Sequence, residues 1–257
     1  MTQAERRIYL IKYLLNERAV YSPIAVPTDS NEQKSLLRGL LNVRPPMQAS
    51  DDFIAVQDEY LREETRRKGV TDYTALSPVC DGIYLWQGDI TTLKCDAIVN
   101  AANSKMLGCF CPNHKCIDNA IHTFSGVQLR LACDEIMKKQ GHDEETGKAK
   151  ITPAFDLPCK NVIHTVGPIV IGSPTERNRR LLRSCYLSCL ETAVQSGLKS
   201  IAFCCISTGE FHFPNRAAAE IAVDTVKGFR QENKIEVIFN VFKDEDYEIY
   251  RELLGKN

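Results

Sequence analysis

Three cysteines and one histidine lie within eight residues of the chain: Cys109, Cys111, His114 and Cys116. Zinc prefers thiolate and imidazole ligands in tetrahedral geometry. Four ligands from so short a loop would be strained. Three ligands and an open coordination position form more easily, and an open position is what catalytic zinc requires. The alternative is a set of unligated surface thiols, which oxidise readily.

Asp118 follows two residues after this cluster, where the next helix is predicted to begin. As a helix N-cap it would contribute about 1 kcal/mol. Beside a metal ion, its carboxylate would orient or deprotonate a water molecule. One helical turn later, His122 fits a packed helix face and a functional role equally well.

Two further polar stretches follow predicted strands. Asp89 and Ile90 belong to a GDIT turn, where a carboxylate beside a free backbone N–H can bind the edge of an adenine. A strand-end turn with a capping aspartate is the alternative. Asn100 and Asn103 are separated by two alanines, so their amides are open to a closely approaching ligand. Asx turns at a strand end are the alternative there.

A small-residue loop lies between an apolar strand and a predicted helix that opens at Pro214. It comprises Ser207, Thr208, Gly209, Glu210 and Phe211. Such a loop presents backbone N–H groups to phosphate, and its aromatic residue can pack on a sugar or anchor the loop. The chain has neither GxGxxG nor GxxxxGK[ST], so a standard dinucleotide or triphosphate site is not indicated.

Short apolar runs alternate with longer amphipathic ones from about residue 80. Strands are predicted at 82–89, 95–103, 160–168, 200–207 and 234–242, and helices at 117–140, 175–197, 214–231 and 244–256. This alternation predicts a mostly parallel sheet with helices on both faces. Ligands of such folds bind beyond the carboxyl ends of the strands.

Residues 1–75 form a separate unit in this prediction, and residues 76–257 form the main domain. Helical periodicity or capping signals mark 4–18, 31–43 and 51–69. We interpret the first unit as a small helical extension, either structural or for dimerisation.

Bulk composition excludes several classes of protein. The net charge of the 257 residues is −1, so no basic field indicates nucleic acid. No apolar run approaches the roughly 20 residues of a membrane span, and the charged N-terminus lacks a signal-peptide core. Eleven cysteines, an odd number, do not suggest a disulfide framework. We expect a cytoplasmic protein in which most cysteines are buried thiols.

Read in order, GDIT, DAIVNAAN, IDNAIH, TGKAKITPAFDLPCKNVIHTVGP and ISTG resemble a macrodomain of the MacroD type across residues 80–245. The resemblance implies a three-layer α/β/α sandwich around a mixed sheet. It also implies binding of ADP-ribose and hydrolysis of mono-ADP-ribose from proteins.

The resemblance assigns roles to the polar loops. Asp89 and Ile90 would hold the adenine, and residues 207–211 would wrap the diphosphate. Asn103 would contact the distal ribose, with Asn100 in the same ligand-binding loop. Asp118 and Asn103 are the catalytic candidates, since Asp118 falls where these enzymes keep the aspartate associated with water activation.

MacroD-type members have a glycine run where this chain has CFCPNHKC. The longer loop and the helical extension resemble a zinc-dependent subgroup, whose ligands match Cys109, His114 and Cys116 for one Zn²⁺ ion. Cys111 matches no ligand position. Members of the subgroup are often encoded beside sirtuin-type ADP-ribosyltransferases and lipoyl-carrier proteins, so a mono-ADP-ribosylated lipoyl-carrier protein is an implied substrate.

The sequence therefore predicts a zinc-dependent hydrolase that releases mono-ADP-ribose from protein side chains, with a carboxylate ester as the expected linkage. The alternative is a module that binds ADP-ribosylated proteins without cleaving them, with zinc as a structural staple. A closed site of Cys109, Cys111, His114 and Cys116 would favour that alternative.

Overall fold

The structure, a computed structural model, describes residues 1–21 and 23–255. The helices of these residues are α1 (Gln3–Asn16), α2 (Ser30–Val43), α3 (Asp51–Lys68), α4 (Ile117–Ser125), α5 (Val127–Gln140), α6 (Glu176–Gln195), α7 (Asn215–Arg230) and α8 (Asp244–Gly255). The strands are β1 (Thr71–Asp72), β2 (Ile83–Gln87), β3 (Leu93–Lys94), β4 (Ala97–Ala102), β5 (Ala149–Pro153), β6 (Asn161–Val166), β7 (Ser200–Phe203) and β8 (Glu236–Val241).

The three N-terminal helices form where capping residues and apolar periodicity predict them. Thr2 closes a capping box on α1, Asp29 caps α2, and Ser50 caps α3. Each cap satisfies N–H groups that the first helical turn leaves without partners. The helices share their own buried cluster, in which Phe53 and Leu61 are almost completely enclosed. The division between residues 75 and 76 remains a prediction.

The central sheet has the strand order β2-β8-β7-β4-β6-β5. The strands from β2 to β6 pair in parallel, and β5 pairs antiparallel with β6. Helix α6 packs against β6 and β7. It also packs against α7, which in turn packs against α8. Helix α4 packs against β4, and α5 packs against β5. The predicted α/β/α sandwich with a mixed sheet is confirmed. Because β2, β8, β7 and β4 are parallel neighbours, the loops that follow them lie in one row.

Two features differ from the prediction. The helix predicted over 117–140 is two helices, because Gly126 has a φ of 87°, which ends α4 and begins α5 at a new angle. Strand β5 was not predicted, since its AKITP sequence is short and lies at the sheet edge. Helix α8 ends at Gly255, and Lys256 of the predicted helix lies outside the described residues.

All eleven cysteines are free thiols, and six of them are buried: Cys95, Cys133, Cys159, Cys185, Cys189 and Cys204. These six pack as small apolar side chains in the main core. Across residues 1–21 and 23–255, no helix has the length and apolar character needed to cross a membrane.

Candidate functional site

The row of loops begins at Asp89, just beyond β2. Asp89 caps a short 3₁₀ turn, and its Oδ1 accepts hydrogen bonds from the N–H (3.0 Å) and hydroxyl (2.6 Å) of Thr91. Lys68 of α3 places its Nζ 3.0 Å from Oδ2. Burial opposes ionisation, yet these hydrogen bonds and the Lys68 charge hold the pKa of Asp89 below its ordinary value. The Ile90 side chain is buried, so only its backbone is available to a ligand.

Phe242 is a functional candidate that the sequence reasoning missed. It follows the last residue of β8, and its side chain is 77% exposed. Gly88, the residue before Asp89, donates its N–H to Val241 O (3.0 Å) and accepts the amide of Asn240 at its own carbonyl (2.9 Å). Phe242 directly follows Val241 and therefore lies beside the Asp89 turn. The available signal was an aromatic residue immediately after a buried strand.

The loop that follows β7 occupies the middle of the row. Among the described residues, the backbone N–H groups of Gly209, Glu210 and Phe211 make no hydrogen bond. Ser207 has a φ of 66°, a left-handed backbone at the point where the chain leaves the sheet. A Cβ on Gly167 would lie 2.1 Å from Ser207 Oγ, so a larger residue there would require Ser207 to move. Consecutive free N–H groups beside a turn form a site for an anion.

Asn100 lies within β4 and Asn103 directly follows its last residue, and both direct amide groups at Asp118. Asn100 Nδ2 donates to Asp118 Oδ1 (2.8 Å), and Asn103 Nδ2 lies 3.4 Å from Oδ2. Asn103 Oδ1 also accepts the N–H of Lys105 (3.0 Å), which is the predicted Asx turn. Asn103 is partly exposed, whereas Asn100 is completely buried. Contact of Asn100 with a ligand remains a prediction.

A buried histidine fixes the orientation of the Asn100 amide. Asn100 Nδ2 lies 3.2 Å from His164 Nδ1, and His164 Nε2 lies 3.0 Å from Thr152 Oγ1. Burial lowers the pKa of His164 to about 3, so the ring is neutral. With the Asn100 amide nitrogen donating to both Asp118 and Nδ1, the neutral tautomer that fits both contacts carries its proton on Nε2, towards Thr152. A flipped Asn100 amide would place its oxygen against the Asp118 carboxylate.

Asp118 is the second residue of α4, and the predicted N-cap role belongs to Cys116, whose thiol accepts the N–H of Asn119. The Asp118 side chain is buried, and burial raises its pKa to about 6 against the hydrogen bond from Asn100. His122 is packed rather than open to the cleft, since a Cβ on Gly108 would lie 2.8 Å from its ring. Burial lowers the pKa of His122 far below its ordinary value.

The loop 109–116, hereafter the metal loop, gathers three of its four candidate ligands. One ligand atom each from Cys109, His114 and Cys116 lies within 4.8 Å of the others. His114 Nδ1 is 3.6 Å from Cys109 Sγ, and burial raises the pKa of the Cys116 thiol to about 12. Two sulfurs and one imidazole nitrogen are a donor set that fits Zn²⁺. Cys111 is exposed and is not a member of this group.

The metal loop and the loop after β7 face each other. His114 Nε2 lies 3.7 Å from Glu210 Oε1, while its Nδ1 faces the cysteines. A ligating histidine is commonly held by a carboxylate on its second nitrogen, which sets its tautomer and ring orientation. The site therefore runs from Asp89 and Phe242, past the free N–H groups, to Asp118 and the metal loop.

The geometry and the sequence relatives agree on a family. A family model for the Macro domain matches residues 99–222. A protein-ADP-ribose hydrolase of Treponema medium is 56% identical to this chain, and the match spans 99% of this chain and 100% of that protein. The chain belongs to the macrodomain family.

Further macrodomain relatives extend this comparison. A protein-ADP-ribose hydrolase of Staphylococcus aureus (strain MRSA252) is 51% identical over 97% of this chain and 95% of its own length. The solved Trypanosoma brucei macrodomain in complex with ADP-ribose is 29% identical, with a TM-score of 0.66 over 85% of this chain and 95% of that one. The relationship therefore includes the N-terminal helices as well as the sandwich.

Proposed function

We propose that this macrodomain is a hydrolase that releases mono-ADP-ribose from modified proteins with the help of a bound zinc ion. The observation that carries the proposal is the position of Asp118. Its two oxygens face the amides of Asn100 and Asn103, and it lies two residues from a Cys-His-Cys ligand set. Relatives that are 56% and 51% identical over nearly the whole chain bear the name protein-ADP-ribose hydrolase.

The row of loops offers groups whose chemistry suits the successive parts of ADP-ribose. Asp89 can accept the adenine amino group while the Ile90 N–H donates to a ring nitrogen, as their arrangement at the end of β2 allows. The exposed ring of Phe242 offers a stacking surface to the same base. The free N–H groups of residues 209–211 suit the diphosphate, because they concentrate positive partial charge in one turn.

The distal ribose then lies against Asn103, the partly exposed amide of the β4 turn. Cys109, His114 and Cys116 would hold the zinc ion, and bound zinc supplies a Lewis acid that polarises an oxygen of the scissile linkage. Asp118 orients the attacking water and takes its proton, and the two asparagine amides hold the carboxylate in place. Burial keeps bulk water from competing for this carboxylate.

The substrate is a mono-ADP-ribosylated protein, and we propose a carboxylate ester as its linkage. Because this chain resembles the zinc-dependent subgroup, the substrate to test first is a lipoyl-carrier protein modified by a sirtuin-type ADP-ribosyltransferase. Carrier protein linked through Asp or Glu should release ADP-ribose, and the same carrier linked through Arg should not. Release from the Arg-linked carrier alone would refute the ester proposal.

A release assay with and without chelator tests the proposed function. Metal-replete protein should release ADP-ribose from the modified carrier, and chelation should stop release while the fold and ADP-ribose binding persist. Asp118→Asn should abolish turnover and retain ADP-ribose binding, since the neutral amide keeps the shape and loses the base. Binding without release by metal-replete wild type would identify a binding module instead.

Cys109→Ser and Cys111→Ser form a matched pair for the metal site. Both remove one thiol from the same loop, but only Cys109 belongs to the three-residue ligand group. Cys109→Ser should lose bound zinc and turnover, and Cys111→Ser should keep both. Equal loss in the two variants would show that the four residues act as one closed site.

A further inference from the structure

The metal loop is held from outside the sandwich, by α2 of the N-terminal unit. Arg38, on the face of α2 that meets the loop, donates from Nη2 to the His114 carbonyl at 3.1 Å and to Asn119 Oδ1 at 2.9 Å. The first hydrogen bond holds the backbone of His114, a proposed zinc ligand. The second holds the side chain of Asn119, an α4 residue that itself binds the loop.

One turn further along α2, Asn42 makes a second attachment. Its Oδ1 accepts the N–H of Asn113 at 2.9 Å, and its Nδ2 donates to Thr123 Oγ1 at 2.8 Å. Asn113 has a φ of 57°, so the loop reverses direction at the residue before His114. Asn42 is 1% exposed, and Gly39 on the same helix lies close to the loop, since a Cβ added there would be in ordinary contact with Pro112 Cβ at 3.7 Å. The turn of the metal loop at Asn113 is therefore held by a buried amide.

Asn119 connects α2 to the cysteine part of the loop. Its amide Nδ2 donates to Cys111 O at 3.0 Å and lies 3.5 Å from Cys109 O, while its backbone N–H points at Cys116 Sγ. Arg38 binds the other end of the same amide. A cation on Oδ1 fixes which end of the amide is the donor. The guanidinium thereby sets the direction in which Asn119 holds the two cysteine carbonyls.

The metal loop needs such support because it has no regular secondary structure of its own. Metal ligands must be held within about 0.5 Å of their productive positions, and a free loop loses affinity through the entropy of ordering. Hydrogen bonds to charged groups are the stronger ones, and both Arg38 contacts are of that kind. A half-buried guanidinium and a buried amide on one rigid helix supply this order before the metal arrives.

We propose that Arg38 and Asn42 are positioning residues of the metal site, so that the N-terminal helical unit is part of the zinc-binding machinery of this macrodomain. The inference rests on the metal site of the proposed function. It assigns a role to residues 1–75 that neither dimerisation nor simple packing requires. Their contact with the loop is through its backbone and Asn119, and the zinc ligands themselves remain Cys109, His114 and Cys116.

The test is the metal affinity of the full-length protein, measured by competition with a chromophoric chelator. Arg38→Ala and Asn42→Ala should each weaken Zn²⁺ binding about 10- to 100-fold, the range for groups that orient metal ligands. The absorption spectrum of the Co²⁺-substituted protein should change as well, since it reports ligand geometry. Arg38→Lys keeps one charged donor and should restore part of the affinity.

Lys34→Ala is the matched control. Lys34 lies one turn before Arg38 on the same helix and pairs with Glu64 of α3 at 3.2 Å, away from the metal loop. Its removal should leave Zn²⁺ affinity within about twofold of wild type. In release assays, Arg38→Ala should need more zinc for half-maximal rate, with an unchanged KM for the modified protein. A purely structural role would lower the folded fraction without shifting that zinc requirement.

The outcomes separate this inference from the proposed function. If Arg38→Ala and Asn42→Ala bind Zn²⁺ as wild type does, the inference is overturned and the proposed hydrolase stands. If wild type binds no Zn²⁺, both the metal site and the inference fail. If Arg38→Ala does not fold, the test uses Arg38→Lys and Asn42→Ala. Zn²⁺ affinity equal to that of wild type in both variants would overturn the positioning role.

Discussion

Replacing Asp156 by Asn should make the protein more stable, by an amount that grows with pH. Asp156 follows β5, and its side chain is 0% exposed. Within the described residues neither of its oxygens accepts a hydrogen bond, although Arg62 Nε lies 2.9 Å from Oδ1 in an ion pair. Burial and the facing carboxylate of Asp58 raise the pKa of Asp156 from 3.8 to about 8, against the charge of Arg62. The folded protein thus holds a proton that Asp58 can accept in a hydrogen bond.

The magnitude follows from proton linkage. Between pH 4 and 8 the folded state keeps this proton and the unfolded state has lost it, so stability falls as pH rises. One proton corresponds to at most about 1.4 kcal/mol per pH unit. From pH 6 to pH 7.5, wild type should therefore lose up to about 2 kcal/mol relative to Asp156→Asn. The amide stays neutral and can donate to Asp58 at every pH.

Urea unfolding of both proteins at several pH values between 5 and 9 measures this difference. The difference in unfolding free energy should widen up to about pH 8 and then level off. Groups that titrate elsewhere cancel, because they are present in both proteins. Asp52→Asn, which removes an exposed carboxylate from the first turn of α3, should run parallel to wild type. A pH-independent difference for Asp156→Asn would refute the shared-proton reasoning.

Three further substitutions test the site and the fold. Phe242→Ala should weaken ADP-ribose binding by about 1–3 kcal/mol in calorimetry through loss of base stacking, and Phe242→Tyr should not. Gly167→Ala should weaken ADP-ribose binding several-fold, because its Cβ would lie 2.1 Å from Ser207 Oγ and displace the loop after β7; unchanged affinity would show that the loop yields without cost. Phe53→Ala should destabilise the protein by about 3–5 kcal/mol in denaturant unfolding, since the ring fills the core of the N-terminal unit.

Much of the fold was predictable from hydrophobic periodicity and from capping and turn residues. Four of the five predicted strands are largely buried, so burial on both faces leaves little choice of residue and their apolar runs were readily found. Strand β5 was missed because its five residues, AKITP, include a lysine, a threonine and a proline and carry only a weak apolar pattern. The break at Gly126 was missed because a single glycine inside an amphipathic run is compatible with a continuous helix.

The candidate site was predicted in its parts but not in its connections. Spacing marked four possible ligands, and the resemblance to a zinc-dependent subgroup narrowed them to Cys109, His114 and Cys116. The structure brings the ligand atoms of these three together. The supporting contacts of Arg38 and Asn42 could not be predicted, because they join residues more than 70 positions apart. Long-range docking of one helix against a loop depends on packing, which local sequence patterns do not encode.

The native cysteines can report on solvent access to the core, because some are exposed and others are buried. Burial raises the pKa of Cys133, Cys159 and Cys204 to about 12, so these side chains carry almost no thiolate at neutral pH. Alkylating reagents attack the thiolate, and exposed Cys111 lies within the same loop as the proposed zinc ligands. Mass spectrometry of a brief alkylation would thus record opening of the core through the buried thiols. A fluorophore attached at Cys111 would report on the neighbouring cleft without an engineered cysteine.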